Sequence, residues 1–297
     1  MSQMLFRPLR QIADKFNQLQ MGIVAGERVF KVIDTESFIR KEGSLDASNI
    51  QGNIEFNHVR FSYIKNEEVL KGISFQVQKG QTVAIVGATG AGKSTIINLI
   101  NRFYEIDNGV ISVDNISVKE YDLASLRNQI AIVLQDVFLF SDSIYNNITL
   151  KNSQITLEEV EEAAKKIGIH HFIMTLPGGY HYNVKERGVM LSSGQRQLIA
   201  FLRAYVSKPR ILILDEATSS VDSHAEKLIQ FATDTITRGR TSIVIAHRLA
   251  TIKKADKIIV MNKGVIVEEG THKELLKKKD GYYKNLFDKQ FSLELAS

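Results

Sequence analysis

The stretch Gly87-Ala-Thr-Gly-Ala-Gly-Lys93-Ser94-Thr95 constrains this chain more than any other part of it. Its spacing is G-x-x-x-x-G-K-[ST]. Before it runs Gln81–Val86, apolar and rich in β-branched residues, as a buried strand should be. After it a helical pattern opens at the lysine (Ile96, Ile97, Leu99, Ile100, Phe103). Strand, glycine loop and helix form the context that a phosphate-binding loop requires. Gly87, Gly90 and Gly92 let the backbone turn its N–H groups toward phosphates, and the helix N-terminus adds a favourable partial charge. Lys93 is then placed to reach the β- and γ-phosphates, and the Ser94 hydroxyl to ligate Mg²⁺, with Thr95 closing the motif. These residues imply a nucleoside triphosphate ligand.

Composition narrows the rest. The 297 residues suffice for one large domain with appendages. A net charge of +5, from 38 basic and 33 acidic residues, is too small and too spread out to argue for nucleic acid. There is no cysteine, which excludes disulfides and thiol catalysis. No secretory signal is visible in Met1–Arg10, and no run approaches the ~18–20 apolar residues that cross a bilayer. The polypeptide as given is therefore expected to be soluble. Lys277-Lys278-Lys279 reads either as a solvated helix face or as a contact with anionic phospholipid.

Along the chain, residues 1–34 have their own character. Leu5, Leu9, Ile12, Phe16, Leu19 and Ile23 recur at alternating four- and three-residue steps, and Gly26, Phe30 and Ile33 continue the stripe. That pattern predicts one long amphipathic helix whose seam must be covered, by its own domain or by a partner. Residues 35–51 read as a linker. From Gly52 onward strands alternate with helices. Ile54–Phe61, Ile73–Val77, Thr82–Val86, Gly109–Val113 and Ile130–Leu134 are predicted strands, and Ile211–Leu214 and Thr241–Ala246 extend a parallel sheet. Thr156–Ile167 is a helix with a Thr156/Glu159 capping box, stopped by Gly168. Lys257–Met261 and Val265–Glu268 should pair as a hairpin through Asn262-Lys263-Gly264. The tail from Thr271 reads as helical.

Ile211-Leu-Ile-Leu-Asp215-Glu216 is an apolar strand ending in two acids. At the C-terminal edge of a parallel sheet Asp215 would lie beside the phosphate loop as a Mg²⁺ partner, and Glu216 would point elsewhere to polarise a water. Leu191-Ser-Ser-Gly-Gln195 opens another helix, a second potential anion site, although an ordinary cap has the same composition. In this company the chain resembles the nucleotide-binding domain of an ABC transporter, and LSSGQ is similar to that family's signature. Other motifs follow in the family's order. Tyr63 matches the aromatic that stacks on adenine, and Gln135 the glutamine that touches Mg²⁺ and senses the transport domains. Ser219–Asp222 matches the loop after the catalytic acid, and His247 the histidine that contacts the γ-phosphate.

The resemblance implies an α/β fold: a P-loop NTPase core with a mainly parallel central sheet, an antiparallel β subdomain and an inserted α-helical subdomain near 136–206, within an ATP-binding domain spanning 52–290. It implies ATP and Mg²⁺ as ligands, with Lys93, Glu216 and His247 catalytic and Ser94, Gln135 and Asp215 around the metal. It also implies a head-to-tail homodimer in which Ser192, Gly194 and Gln195 complete the partner's site. Ser193 departs from the family's usual glycine, at little cost unless that position needs a positive φ. Gln135–Ile148, Glu186-Arg187-Gly188 and the run Phe6–Phe30 resemble exporter elements. The chain is thus expected to power export of a lipid, drug or other amphipathic solute through a transmembrane domain, at the cytoplasmic face of the cell membrane and without nucleic acid. An importer subunit and a soluble ATPase acting on nucleic acid are the alternatives.

Overall fold

The computed structural model describes residues 2–35, 43–215, 223–246 and 248–291. The chain divides into two compact units, Met1–Arg40 and Lys41–Ser297. The first is a single helix, α1 (Ser2–Ile33), as the seam predicts, and Pro8 is accommodated in its second turn. Within its own unit the helix leaves its stripe uncovered: Phe6, Leu9, Ile12, Phe16, Leu19, Ile23, Phe30 and Ile33 are all exposed. Among the described residues, no helix is long and apolar enough to cross a membrane.

The second unit is built on a six-stranded sheet of β6 (Ile130–Val133), β7 (Ile211–Asp215), β8 (Thr241–Ile245), β3 (Thr82–Gly87), β9 (Lys257–Asn262) and β10 (Val265–Gly270), in the order β10-β9-β3-β8-β7-β6. All neighbours are parallel except β10, which folds back on β9 as the expected hairpin. Its turn uses positive φ at Lys263 and Gly264 (47° and 86°), the twist that suits two antiparallel strands.

The interiors of β3, β7, β8 and β9 are buried and mainly apolar because both faces are covered, whereas the edge strand β10 carries Glu268 and Glu269 and stays partly exposed. On one face Val83, Ile85, Ile213, Ile243, Ile245 and Met261 share a core with a second, antiparallel sheet and with α2 (Lys93–Ile100). That sheet contains β1 (Ile54–Ser62), β2 (Glu68–Val77), β4 (Asn108–Val113) and β5 (Ile116–Ser117), in the order β2-β1-β4-β5. On the other face Ala84, Val86, Leu212, Leu214, Val244 and Val260 pack against helices. Side chains alternate along each strand, so odd and even positions feed separate cores.

Between β6 and β7 lie α4 (Ile144–Thr149), α5 (Leu157–Lys166), α6 (His170–Met174) and α7 (Ser193–Val206). The Thr156/Glu159 capping box is present at the start of α5. Short helices α3 (Leu123–Asn128) and α9 (Leu249–Lys254) and the longer α8 (Ser223–Thr237) make further connections. The tail forms two helices, α10 (His272–Lys277) and α11 (Tyr282–Phe291), with Thr271 and Glu274 capping the first. The lysine run straddles the end of α10 and is exposed, so it is not one helix face. Before β1, the segment from Ser44 is laid against the fold: Ala47 and Ile50 are buried, and Ala47 N–H donates to Ser125 Oγ at 2.7 Å.

Candidate nucleotide site

Sheet register brings part of the predicted site, the phosphate loop with Asp215 and Gln135, to one edge. Ile85 of β3 lies opposite Ile245 of β8, and Ile245 lies opposite Asp215 of β7. Val133 of β6 lies opposite Leu214. The strands are parallel, so Gly87–Thr95, Asp215 and Gln135 all emerge at their C-terminal ends, where open α/β sheets bind ligands. Gln135 is exposed there. Glu216, Ser219–Asp222 and His247 lie outside the described residues, and no contact is assigned to them.

The loop's glycines meet distinct steric demands. Gly87 has φ 154° and pairs with Met261 on β9, and a Cβ there would fall on the Met261 carbonyl oxygen. Gly92 takes a left-handed φ of 100° as N-cap of α2, and its Cβ would stand 2.8 Å from Leu70 Cδ2. Having no side chain, Gly92 gives α2 no side-chain cap. That leaves the first-turn amides to an anion, with the helix dipole behind them.

Lys93 is buried and folds back, its ammonium donating to the carbonyls of Gly87 (2.8 Å) and Ala88 (3.1 Å). Burial pulls its pKa below the usual lysine value, and the Asp215 carboxylate pushes it back up. The strand-end acid therefore acts electrostatically on the phosphate-loop lysine. Ser94 is exposed and Thr95 buried. Tyr63, at the end of β1, is half-exposed, and its hydroxyl donates to Thr95 Oγ1 at 3.3 Å.

The signature folds as a helix start of a specific kind. Ser192 is the N-cap of α7: its Oγ accepts from Gln195 N–H at 3.2 Å, and Gln195 Oε1 accepts from Ser192 N–H at 2.9 Å. Ser-x-x-Gln is a capping-box pattern, more specific than the ordinary cap its composition suggests. Ser193 is the first residue of α7, is exposed, and is absent from the positive-φ positions. Serine in place of glycine is thus unstrained. Ser193→Gly should change unfolding stability by less than about 1 kcal/mol, measured by urea denaturation, because the position is an exposed helix terminus. Just before it, Glu186–Gly188 forms a single 3₁₀ turn; its N-cap Lys185 and, inside it, Arg187 hold positive φ (61° and 53°).

Comparison with known proteins gives one answer. A family model described as ABC transporter matches residues 70–219. An uncharacterised ABC transporter ATP-binding protein of Bacillus subtilis, YknV, is 45% identical over 290 residues, covering 97% of this chain and 48% of that protein. A fatty acid ABC transporter ATP-binding/permease protein of Mycobacterium bovis is 45% identical over 276 residues, covering 93% and 44% respectively. Among solved structures, that of a bacterial Atm1-family ABC exporter with ATP bound superposes with a TM-score of 0.78 at 38% identity, covering 96% of this chain and 50% of the other. The chain spans about half the length of the curated relatives it matches. It belongs to the ABC transporter family and carries an ATP-hydrolysing domain of the exporter type.

Proposed function

We propose that this domain powers export of a lipid, drug or other amphipathic solute by closing on a second copy of itself around ATP. The observation that carries the proposal is the edge of the parallel sheet. There the phosphate loop, the buried Lys93 and the Asp215 charge that acts on it converge. The uncapped start of α2 and the folded-back ammonium suit a polyphosphate. On binding, Lys93 would exchange the Gly87 and Ala88 carbonyls for phosphate oxygens, a stronger, charge-assisted pairing. Tyr63 would stack on the adenine.

The donor set also fits Mg²⁺. Ser94 offers an exposed hydroxyl, Asp215 and Gln135 lie at the same edge, and Mg²⁺ normally takes one or two protein ligands with phosphates and water completing its shell. When bound, the ion would neutralise charge on the β- and γ-phosphates. Glu216 would orient the attacking water and His247 would contact the γ-phosphate.

Export, with docking at the cytoplasmic face of a membrane, is supported by the surface after β6. Phe138 and Phe140 are both exposed and stand edge to face at 5.2 Å. The buried Asn147 pins the Phe140 backbone from α4 by accepting from Phe140 N–H at 2.8 Å and donating to the Phe140 carbonyl at 3.0 Å. A rigid exposed aromatic pair suits a helix from a transport domain.

Dimer closure is tested with Glu216→Gln. ATP should convert that variant from monomer to dimer in sedimentation velocity, while hydrolysis falls by at least ~100-fold relative to the unsubstituted chain. A variant that hydrolyses normally would remove Glu216 from the chemistry. One that is inactive yet monomeric at high ATP would remove the two-chain site.

A further inference from the structure

Tyr63 is held from two directions. Its ring stands perpendicular to Phe61 (centroids 4.7 Å apart, 87°) and to Tyr104 (4.9 Å, 89°), and the latter two rings approach within 5.7 Å of each other. Phe61 is buried and gives the trio a floor, whereas Tyr63 and Tyr104 are 45% and 46% exposed. At its far end the Tyr63 hydroxyl accepts from Asn98 Nδ2 at 3.0 Å and donates to Thr95 Oγ1. Asn98 and Thr95 both belong to α2, whose first residue is Lys93. Tyr104 follows shortly after the same helix.

An exposed tyrosine samples several rotamers, and fixing one on ligand binding costs affinity. Perpendicular ring contacts constrain the plane of Tyr63, and two hydrogen bonds constrain its tip. Neither Tyr104 nor Asn98 belongs to the phosphate loop or to the signature.

We propose that Tyr104 and Asn98 are positioning residues for the base of the nucleotide. They lock the Tyr63 ring to α2, so that the base-stacking surface and the phosphate-binding helix move as one body. The proposal rests on the assignment of Tyr63 to adenine. It makes a distinction that a general packing role does not. A ligand with a base should sense both residues, and a ligand with the same phosphates and no base should sense neither.

Calorimetry on the full chain with Mg²⁺ tests this, using ATP and inorganic tripolyphosphate as paired probes. Tyr63→Ala should weaken ATP and leave tripolyphosphate unchanged. Tyr104→Ala and Asn98→Ala should each weaken ATP by about three- to tenfold, again without effect on tripolyphosphate. Tyr104→Phe, which keeps the ring, should restore wild-type affinity. If Tyr63→Ala weakens ATP while Tyr104→Ala and Asn98→Ala do not, the positioning role is wrong and the adenine assignment survives. If Tyr63→Ala leaves ATP binding intact, the assignment and the positioning role fall together. Equal losses for both probes, with lowered melting temperatures, would make the two residues merely structural and overturn the proposal.

Discussion

Lys93→Ala is expected to weaken ATP binding by on the order of 100-fold or more and to abolish hydrolysis, measured by calorimetry and phosphate release. Each charge-assisted hydrogen bond contributes roughly 1.5–3 kcal/mol, and the lysine can give more than one to the β- and γ-phosphates. In the free chain that capacity goes to two loop carbonyls, Gly87 and Ala88. Fold stability should change much less than binding. Burial already disfavours the ammonium and the Asp215 carboxylate offsets it in part, so removing the charge relieves a desolvation penalty as it removes the two bonds. The two outcomes together separate a binding residue from a folding residue. Wild-type affinity in Lys93→Ala would show that phosphates bind elsewhere.

Gly87→Ala is expected to act in the opposite way, through the fold first. The residue sits at the end of β3 beside Met261 of β9, in the interior of the six-stranded sheet. A methyl group there meets a backbone oxygen, which can retreat only by loosening the ladder between two central strands. The positive φ adds its own cost for any residue with a Cβ. Together these should destabilise the domain by about 3 kcal/mol or more, a large part of the 5–15 kcal/mol typical of a folded domain. Urea denaturation of the two proteins reads the difference directly. Gly92→Ala makes an instructive contrast. Its nearest obstacle is the flexible tip of Leu70, so its damage should fall more on the loop, and hence on ATP affinity, than on unfolding. A Gly87→Ala protein as stable as the parent would show that β9 lies further from the loop than this structure places it.

The central sheet was legible because burial on both faces writes itself into sequence. Ile211–Leu214 is apolar without interruption and Thr241–Ala246 is so from Ile243 onward, and both became strands with ends within a residue of those expected. The phosphate loop was legible for a different reason: its glycines and lysine have few other uses in that spacing. Elements stabilised mainly by tertiary contact were not read. The strand expected at Ile73–Val77 begins at Glu68, because Gly72, which looks like a terminator, is carried within it at φ 84°. The short helices Leu123–Asn128 and Leu249–Lys254 are too brief to show a period. At the site, Asn98 and Tyr104 were missed because nothing local marks them. They matter only through a ring that is far from them in sequence and close in space.

The cap at the start of α7 also bears on how quickly a second chain could engage. In accepting from Gln195 N–H, Ser192 Oγ spends a lone pair and keeps its own hydrogen for donation. The Gln195 side chain is likewise already anchored to the Ser192 amide. An arriving phosphate would therefore meet a donor aimed in advance, with little rotamer entropy left to lose. Encounter between two such surfaces would be limited by how often they collide in the right orientation, and not by waiting for the signature to take shape.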